Sequence, residues 1–157
     1  MLGIVSLLGL LLSFSAGAMD SFPHHPDEAL TPGALCDHPD RYRYAERIGY
    51  CERDVSTFLK QHIFEEYDRR GYRTLSMNRG SFKIDHYIPL CMGGSNDPKN
   101  LWPQHESVYS LTDSLEGLLC EKMAQGRLKQ KEAVSLIVRA KNNLEEVRGI
   151  TSYVRKL

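Results

Sequence analysis

The sequence predicts an α+β domain: a two-stranded hairpin with a helix after it, flanked by N- and C-terminal helices. Three observations carry that prediction. Residues 82–105 read as strand, turn, strand and the start of a helix. Amphipathic stretches with three- and four-residue spacing lie on either side of it, which is helical periodicity. Four cysteines follow an uncharged apolar leader, a composition that suits an exported, disulfide-tied domain.

Residues 1–18 carry no charged side chain and end in Ala16-Gly17-Ala18, an Ala-x-Ala cleavage site. The stretch reads as a secretory signal peptide, and its Gly and Ser residues make it marginal as a membrane span. No other segment is long and apolar enough to cross a membrane, so no membrane role is expected once the signal is cleaved. The expected localisation is secreted or periplasmic. Residues 19–35, with Pro23, His24, His25, Pro26 and Pro32 and little apolar periodicity, read as a flexible leader. The remaining residues, 36–157, suit one domain with a moderate core.

In an oxidising compartment the cysteines read as disulfides. Three pairings are open, and sequence alone does not select one. The favoured set joins Cys36 to Cys51, closing the N-terminal segment, and Cys91 to Cys120, tying the central hairpin to the helix after it.

From Tyr44 to Tyr67, Ile48, Cys51, Val55, Phe58, Leu59, Ile63 and Tyr67 recur at three- and four-residue steps. They predict one helix with a single buried face, stopped at Gly71. Arg69, Arg70, Arg73, Arg79 and Lys83 follow with no acid after Asp68. This cluster suits either a solvated loop or a phosphate-gripping surface, with Arg73, Arg79 and Lys83 as the candidate nucleic-acid contacts and Tyr72 and Phe82 as stacking partners. The formal net charge of the whole chain is zero, so strong nonspecific affinity for nucleic acid is not implied.

Phe82, Ile84, Ile88 and Leu90 sit at near-alternating positions, which predicts a half-buried strand. The run Gly93-Gly94-Ser95-Asn96-Asp97-Pro98 must break it. Leu101 and Trp102 form the return element, closed by Pro103. Val108, Leu111, Leu115, Leu118, Leu119 and Met123 then mark a second helix, ending at Gly126. A third, about 129–147, shows Ala133, Leu136, Ile137, Ala140 and Leu144 on one face, and 151–157 reads as a short basic tail.

Chemistry concentrates on the first strand. Asp85 and His86 are adjacent; a carboxylate can hold a hard cation and a neutral imidazole can deprotonate water. Neighbours on a strand point to opposite faces, so the pair serves one centre only if the strand is kinked or the histidine redirected. With Asn100 at the far end of the loop, these are the parts required for phosphodiester hydrolysis.

The string Asp85-His86-x-Ile88-Pro89-Leu90, Gly93-Gly94, Asn100-Leu101 and Pro103 resembles the HNH family of endonucleases, the ββα-metal or His-Me finger fold. Asn100-Leu101-Trp102-Pro103-Gln104 further resembles a subset of small secreted bacterial HNH-like proteins. The resemblance implies Asp85 as metal ligand, His86 as general base and Asn100 as the residue that fixes the hairpin. It also implies a further ligand beyond Asn100, for which His105 is the nearest histidine. Asp113 and Glu116, three apart on the following helix, are the alternative. No Cys-x-x-Cys pair is present, which argues against a structural zinc. The expected cofactor is a divalent metal, Mg²⁺ ahead of Mn²⁺ or Zn²⁺. The expected partner is nucleic acid, DNA ahead of RNA; an inhibitor protein is left open. The implied function is a secreted metal-dependent endonuclease with little sequence preference, because no separate base-reading module is visible. The alternative is a catalytically silent secreted module on the same fold that binds nucleic acid or protein.

Overall fold

The computed structural model describes residues 21–157; the signal sequence read in residues 1–18 lies outside them. The fold mixes helix with two small antiparallel hairpins. The first hairpin pairs β1 (Arg41–Arg43) with β2 (Ile48–Tyr50). The second pairs β3 (Phe82–His86) with β4 (Leu101–His105), in a register that sets Asp85 opposite Trp102 and Phe82 opposite His105. Helix α1 (Thr57–Arg70) lies between the hairpins in sequence; α2 (Glu106–Ala124), α3 (Gln130–Asn142) and α4 (Val147–Val154) follow the second.

The helix read from Tyr44 begins only at Thr57. Residues 41–50 form a hairpin because the chain reverses at Tyr44 and Arg47, both at positive φ (61° and 55°), a conformation incompatible with continuous α-helix. The helical spacing of Ile48, Cys51 and Val55 is therefore coincidental. Ser56 then caps α1, its hydroxyl accepting from the Leu59 amide, and Gly71 ends it at φ 118° as expected. The buried face carries Ile63, Phe64 and Tyr67. Phe58, placed on that face by the sequence pattern, is 83% exposed, because at about 100° per residue it lies on the side of the helix roughly opposite Tyr67.

Two apolar cores result. One packs α1 against the β3–β4 hairpin through Phe64, Tyr67, Phe82, Ile84, Leu101 and Trp102. Burying a large apolar side chain of this kind contributes about 1.5–3 kcal/mol. The other is built by Leu115, Leu119, Ile137, Ile150 and Val154 of α2, α3 and α4. Pro103 falls inside β4 instead of closing it; β4 is an edge strand, where the missing N–H costs no ladder bond. The third helix stops at Asn142, and the stretch read as a tail folds into α4 with Val154 fully buried.

The leader's described residues run against the domain. Thr31 is buried, donating from its hydroxyl to the Leu101 carbonyl at 2.9 Å and accepting from the Tyr67 hydroxyl at 2.8 Å. The Phe22 ring stacks on His105, centroids 4.1 Å apart. Both favoured disulfides are present, Cys36–Cys51 and Cys91–Cys120, and two such bonds match an oxidising compartment. Among the described residues no helix is long and apolar enough to cross a membrane.

Candidate functional site

The loop joining β3 to β4 is built around one side chain. Asn100 is fully buried; its Oδ1 accepts from the Ile88 amide at 2.9 Å, and its Nδ2 donates to the carbonyls of Ile88 and Ser95, both at 2.9 Å. Gly94 lies against the same point, where an added Cβ would stand 1.8 Å from the Ile88 oxygen. Only glycine permits that approach. Asn100 thus ties the two ends of the loop together through its side chain.

Where β3 gives way to this loop, Asp85 and His86 line one cavity of about 280 Å³ together with Arg43, Tyr50, Arg53 and Glu116. The opposed directions of strand neighbours do not separate them, because His86 is the last residue of the strand. His86 is only 3% exposed. Its Nε2 lies 3.0 Å from Asn96 Oδ1, and its Nδ1 lies 3.2 Å from an Arg53 guanidinium nitrogen. The Asn96 amide nitrogen donates to the Glu52 carbonyl at 2.6 Å, which turns its oxygen toward the imidazole. The proton therefore sits on Nε2, donating to Asn96, and Nδ1 keeps its lone pair on the side of Arg53, a guanidinium that can only donate. Burial pushes the imidazole pKa down; the Asn96 bond opposes this, the Arg53 charge reinforces it, and the result is about 4. At neutral pH His86 is uncharged.

Beside it stands a polar knot. Asp85, Asp113 and Glu116 bring one carboxylate oxygen each within 4.8 Å of one another. Asp85 is buried, Glu116 half-buried and Asp113 exposed. This acidic group could hold a metal ion, and its hard oxygen donors suit Mg²⁺ or Mn²⁺ better than a soft cation. All four cysteines are in disulfides, so thiolate ligation is absent among the described residues. The acids already carry internal cations. Lys141 of α3 is fully buried, with Nζ 2.5 Å from Glu116 Oε1, 3.3 Å from Asp85 Oδ2 and 2.6 Å from the His86 carbonyl oxygen. Lys83 reaches both Asp113 oxygens at 2.7 and 2.8 Å and stands 3.8 Å from Asp85.

These charges set the ionisation of the knot. Burial pushes the Asp85 carboxyl up, but Lys141 and Lys83 outweigh it and hold the group below the usual carboxylate range. For Glu116 burial prevails over Lys141, and its pKa rises. Burial favours a neutral Lys141, yet Asp85 and Glu116 overcome it and keep the ammonium charged.

The structure brings Asp85, His86 and Asn100 together at one loop. It leaves His105 apart. That residue faces Phe82 at the other end of the ladder, three residues or about 10 Å along the strand from Asp85's partner. There it caps α2, its Nδ1 accepting from the Ser107 amide. The acids gathered around Asp85 are Asp113 and Glu116 of α2, the alternative ligands, and this group could hold a metal ion. Of the basic candidates, Arg79 covers the Phe64 ring at 4.0 Å and donates to the Phe82 carbonyl. Lys83 is bound to Asp113, and Arg73 is exposed next to the short 3-10 turn Thr74–Ser76. None of the three lines the His86 cavity.

Arg43, Tyr50, Arg53 and Lys141 are site residues that sequence reasoning missed, and Asn96, which holds His86, reads in the sequence only as a turn former. Lys141 had a signal: it falls four residues after Ile137, on the apolar face of its helix. So did Arg43, in the alternation Arg41-Tyr42-Arg43-Tyr44, which is strand periodicity. Arg53 had none. No family model, curated protein or solved structure matches the chain.

Proposed function

We propose that this chain hydrolyses phosphodiester bonds in nucleic acid, as a secreted or periplasmic endonuclease with little sequence preference. The observation that carries the reading is the state of His86: neutral, held in one tautomer, with the Nδ1 lone pair turned to the side where Arg43 and Arg53 line the cavity. The strand–strand–helix succession of β3, β4 and α2 and the Asn100 clamp support the ββα-metal resemblance.

In this mechanism the two guanidiniums hold the non-bridging oxygens of a phosphodiester. Arg53 turns from the imidazole to the phosphate, and Nδ1 then takes a proton from the attacking water. The hydroxide adds to phosphorus, the bond to the 3′ oxygen breaks, and that oxygen leaves with the negative charge. Asp85, Asp113 and Glu116 are the residues that would hold a divalent cation, Mg²⁺ first. When bound, such an ion would supply Lewis-acid stabilisation of the leaving oxygen. Binding it requires Lys83 and Lys141 to yield part of their hold on the acids. A second reading, a catalytically silent binding module, is favoured by one observation: the Arg53 donor already occupies the Nδ1 lone pair.

The test is cleavage of plasmid DNA and single-stranded RNA by the oxidised mature protein with Mg²⁺, Mn²⁺ or EDTA, beside His86→Ala. Cutting that His86→Ala loses is the expected result. Full cutting by His86→Ala would end the mechanism, and no cutting by folded protein under any metal would favour the silent module.

A further inference from the structure

We propose that the β1–β2 hairpin and Arg53 form a binding track for single-stranded nucleic acid, which delivers one phosphodiester at a time into the His86 recess. The proposal rests on the hydrolytic reading for what happens in that recess, but the binding itself does not require cutting.

Burial of His86 selects the form of the substrate. An imidazole 3% exposed in a cavity of about 280 Å³ is reached only by a backbone that can bend a phosphate inward. Duplex DNA is stiff on that scale, with a persistence length of about 150 base pairs, and sharp local bending is costly. An extended single strand bends freely.

Charge marks the track. Arg41 is paired with Glu52 at 2.7 Å, Lys83 with Asp113, and Lys141 with Asp85 and Glu116. Arg43 and Arg53 have no carboxylate partner among the described residues. Arg53 donates instead to the Ile84 carbonyl and His86, and Arg43 rests on aromatic rings. These two guanidiniums retain their charge for an anion from outside.

Stacking surfaces continue the track along the hairpin. The guanidiniums of Arg41 and Arg43 each lie 4.7 Å from the Tyr50 ring centre, and Arg43 lies 5.2 Å from that of Tyr44. Tyr44 packs against the core of α2, α3 and α4 and Tyr50 carries the two arginines, so the guanidinium planes are the faces that receive unstacked bases, which a duplex does not offer. The hairpin holds its place beside the cavity through Cys36–Cys51 and the bond from the Cys36 amide to the Gly93 carbonyl at 2.8 Å.

The experiment is fluorescence anisotropy of a labelled oligonucleotide, single-stranded or annealed, with full-length mature His86→Ala protein in EDTA. The single strand should bind about tenfold more tightly than the duplex, and Arg43→Gln should weaken it about tenfold. Arg53→Gln should act in the same direction, and Arg148→Ala, on α4, should leave affinity unchanged; thermal melts confirm that each variant is folded. Equal affinity for the duplex, a folded Arg43→Gln that binds like its parent, or a loss confined to Arg73→Ala would overturn the proposal. So would competition by poly-glutamate as effective as by unlabelled strand, which would assign the track to an acidic protein. The two readings fail separately. Wild-type protein that binds the single strand through Arg43 but cuts nothing keeps the track and loses the hydrolase. Wild-type protein that cuts while Arg43→Gln binds normally does the reverse.

Discussion

The ammonium of Lys141 lies 3.3 Å from Asp85 Oδ2 and donates at 2.6 Å to the carbonyl of the next residue, His86. One fully buried lysine from α3 thus fixes both the carboxylate and the backbone at the end of β3, while its contact with Glu116 ties in α2. It is an internal cation at an acidic group that could hold a metal ion.

Lys141→Met should therefore do two things. Breaking a buried ionic network from one side leaves Asp85 uncompensated, and urea unfolding should show a loss of about 3–5 kcal/mol. The competing charge also disappears, so millimolar Mn²⁺ should raise the melting temperature of Lys141→Met more than that of the wild type. Equal responses would mean that the lysine does not compete with cations.

The pH dependence follows from His86. Its native pKa is about 4, against an ordinary value of 6.5. Between those values the unfolded chain binds a proton that the native state does not, so stability falls as pH drops through this window. Below about pH 4 the slope from this residue vanishes. At pH 5 the loss relative to pH 7 is about 2 kcal/mol. His86→Gln lacks this component, and urea titrations of both proteins at the two pH values should differ by that amount.

Asn100→Asp keeps the size of the side chain but turns its two donated bonds, to Ile88 and Ser95, into contacts between oxygens. An expected cost of about 2–4 kcal/mol follows from two unpaired buried carbonyls. Cleavage should fall with it, measured at a temperature where the variant remains folded. Gly94→Ala, whose Cβ would collide with the Ile88 carbonyl, should also disrupt the loop.

The two disulfides should separate functionally. Removing either should cost about 2–4 kcal/mol. Cys36→Ser/Cys51→Ser frees the hairpin, and its main effect should be on oligonucleotide affinity. Cys91→Ser/Cys120→Ser releases the β3–β4 loop from α2, so its main effect should be on turnover. Affinity and turnover measured on both double variants check this assignment.

The sequence by itself determined the local chemistry. Adjacent Asp85 and His86 at a strand end, the turn run that needs Asn100 and Gly94, the stop at Gly71 and the second helix are all encoded within a few residues. Spacing and turn preference act at that range, and the favoured cysteine pairs also occur. It misread 44–56 as helix because apolar spacing of three and four arises by chance over so short a stretch, while positive φ at Tyr44 and Arg47 leaves no mark in residue type. Only the tertiary structure decided what surrounds the imidazole and the acids. Arg53 reaches His86 across 33 positions, and Lys141 reaches Asp85 across 56. Such pairings arise when separately folded elements pack, and burial then multiplies the effect of each charge. For that reason the acids beside Asp85 come from α2, while His105 lies at the far end of the ladder opposite Phe82.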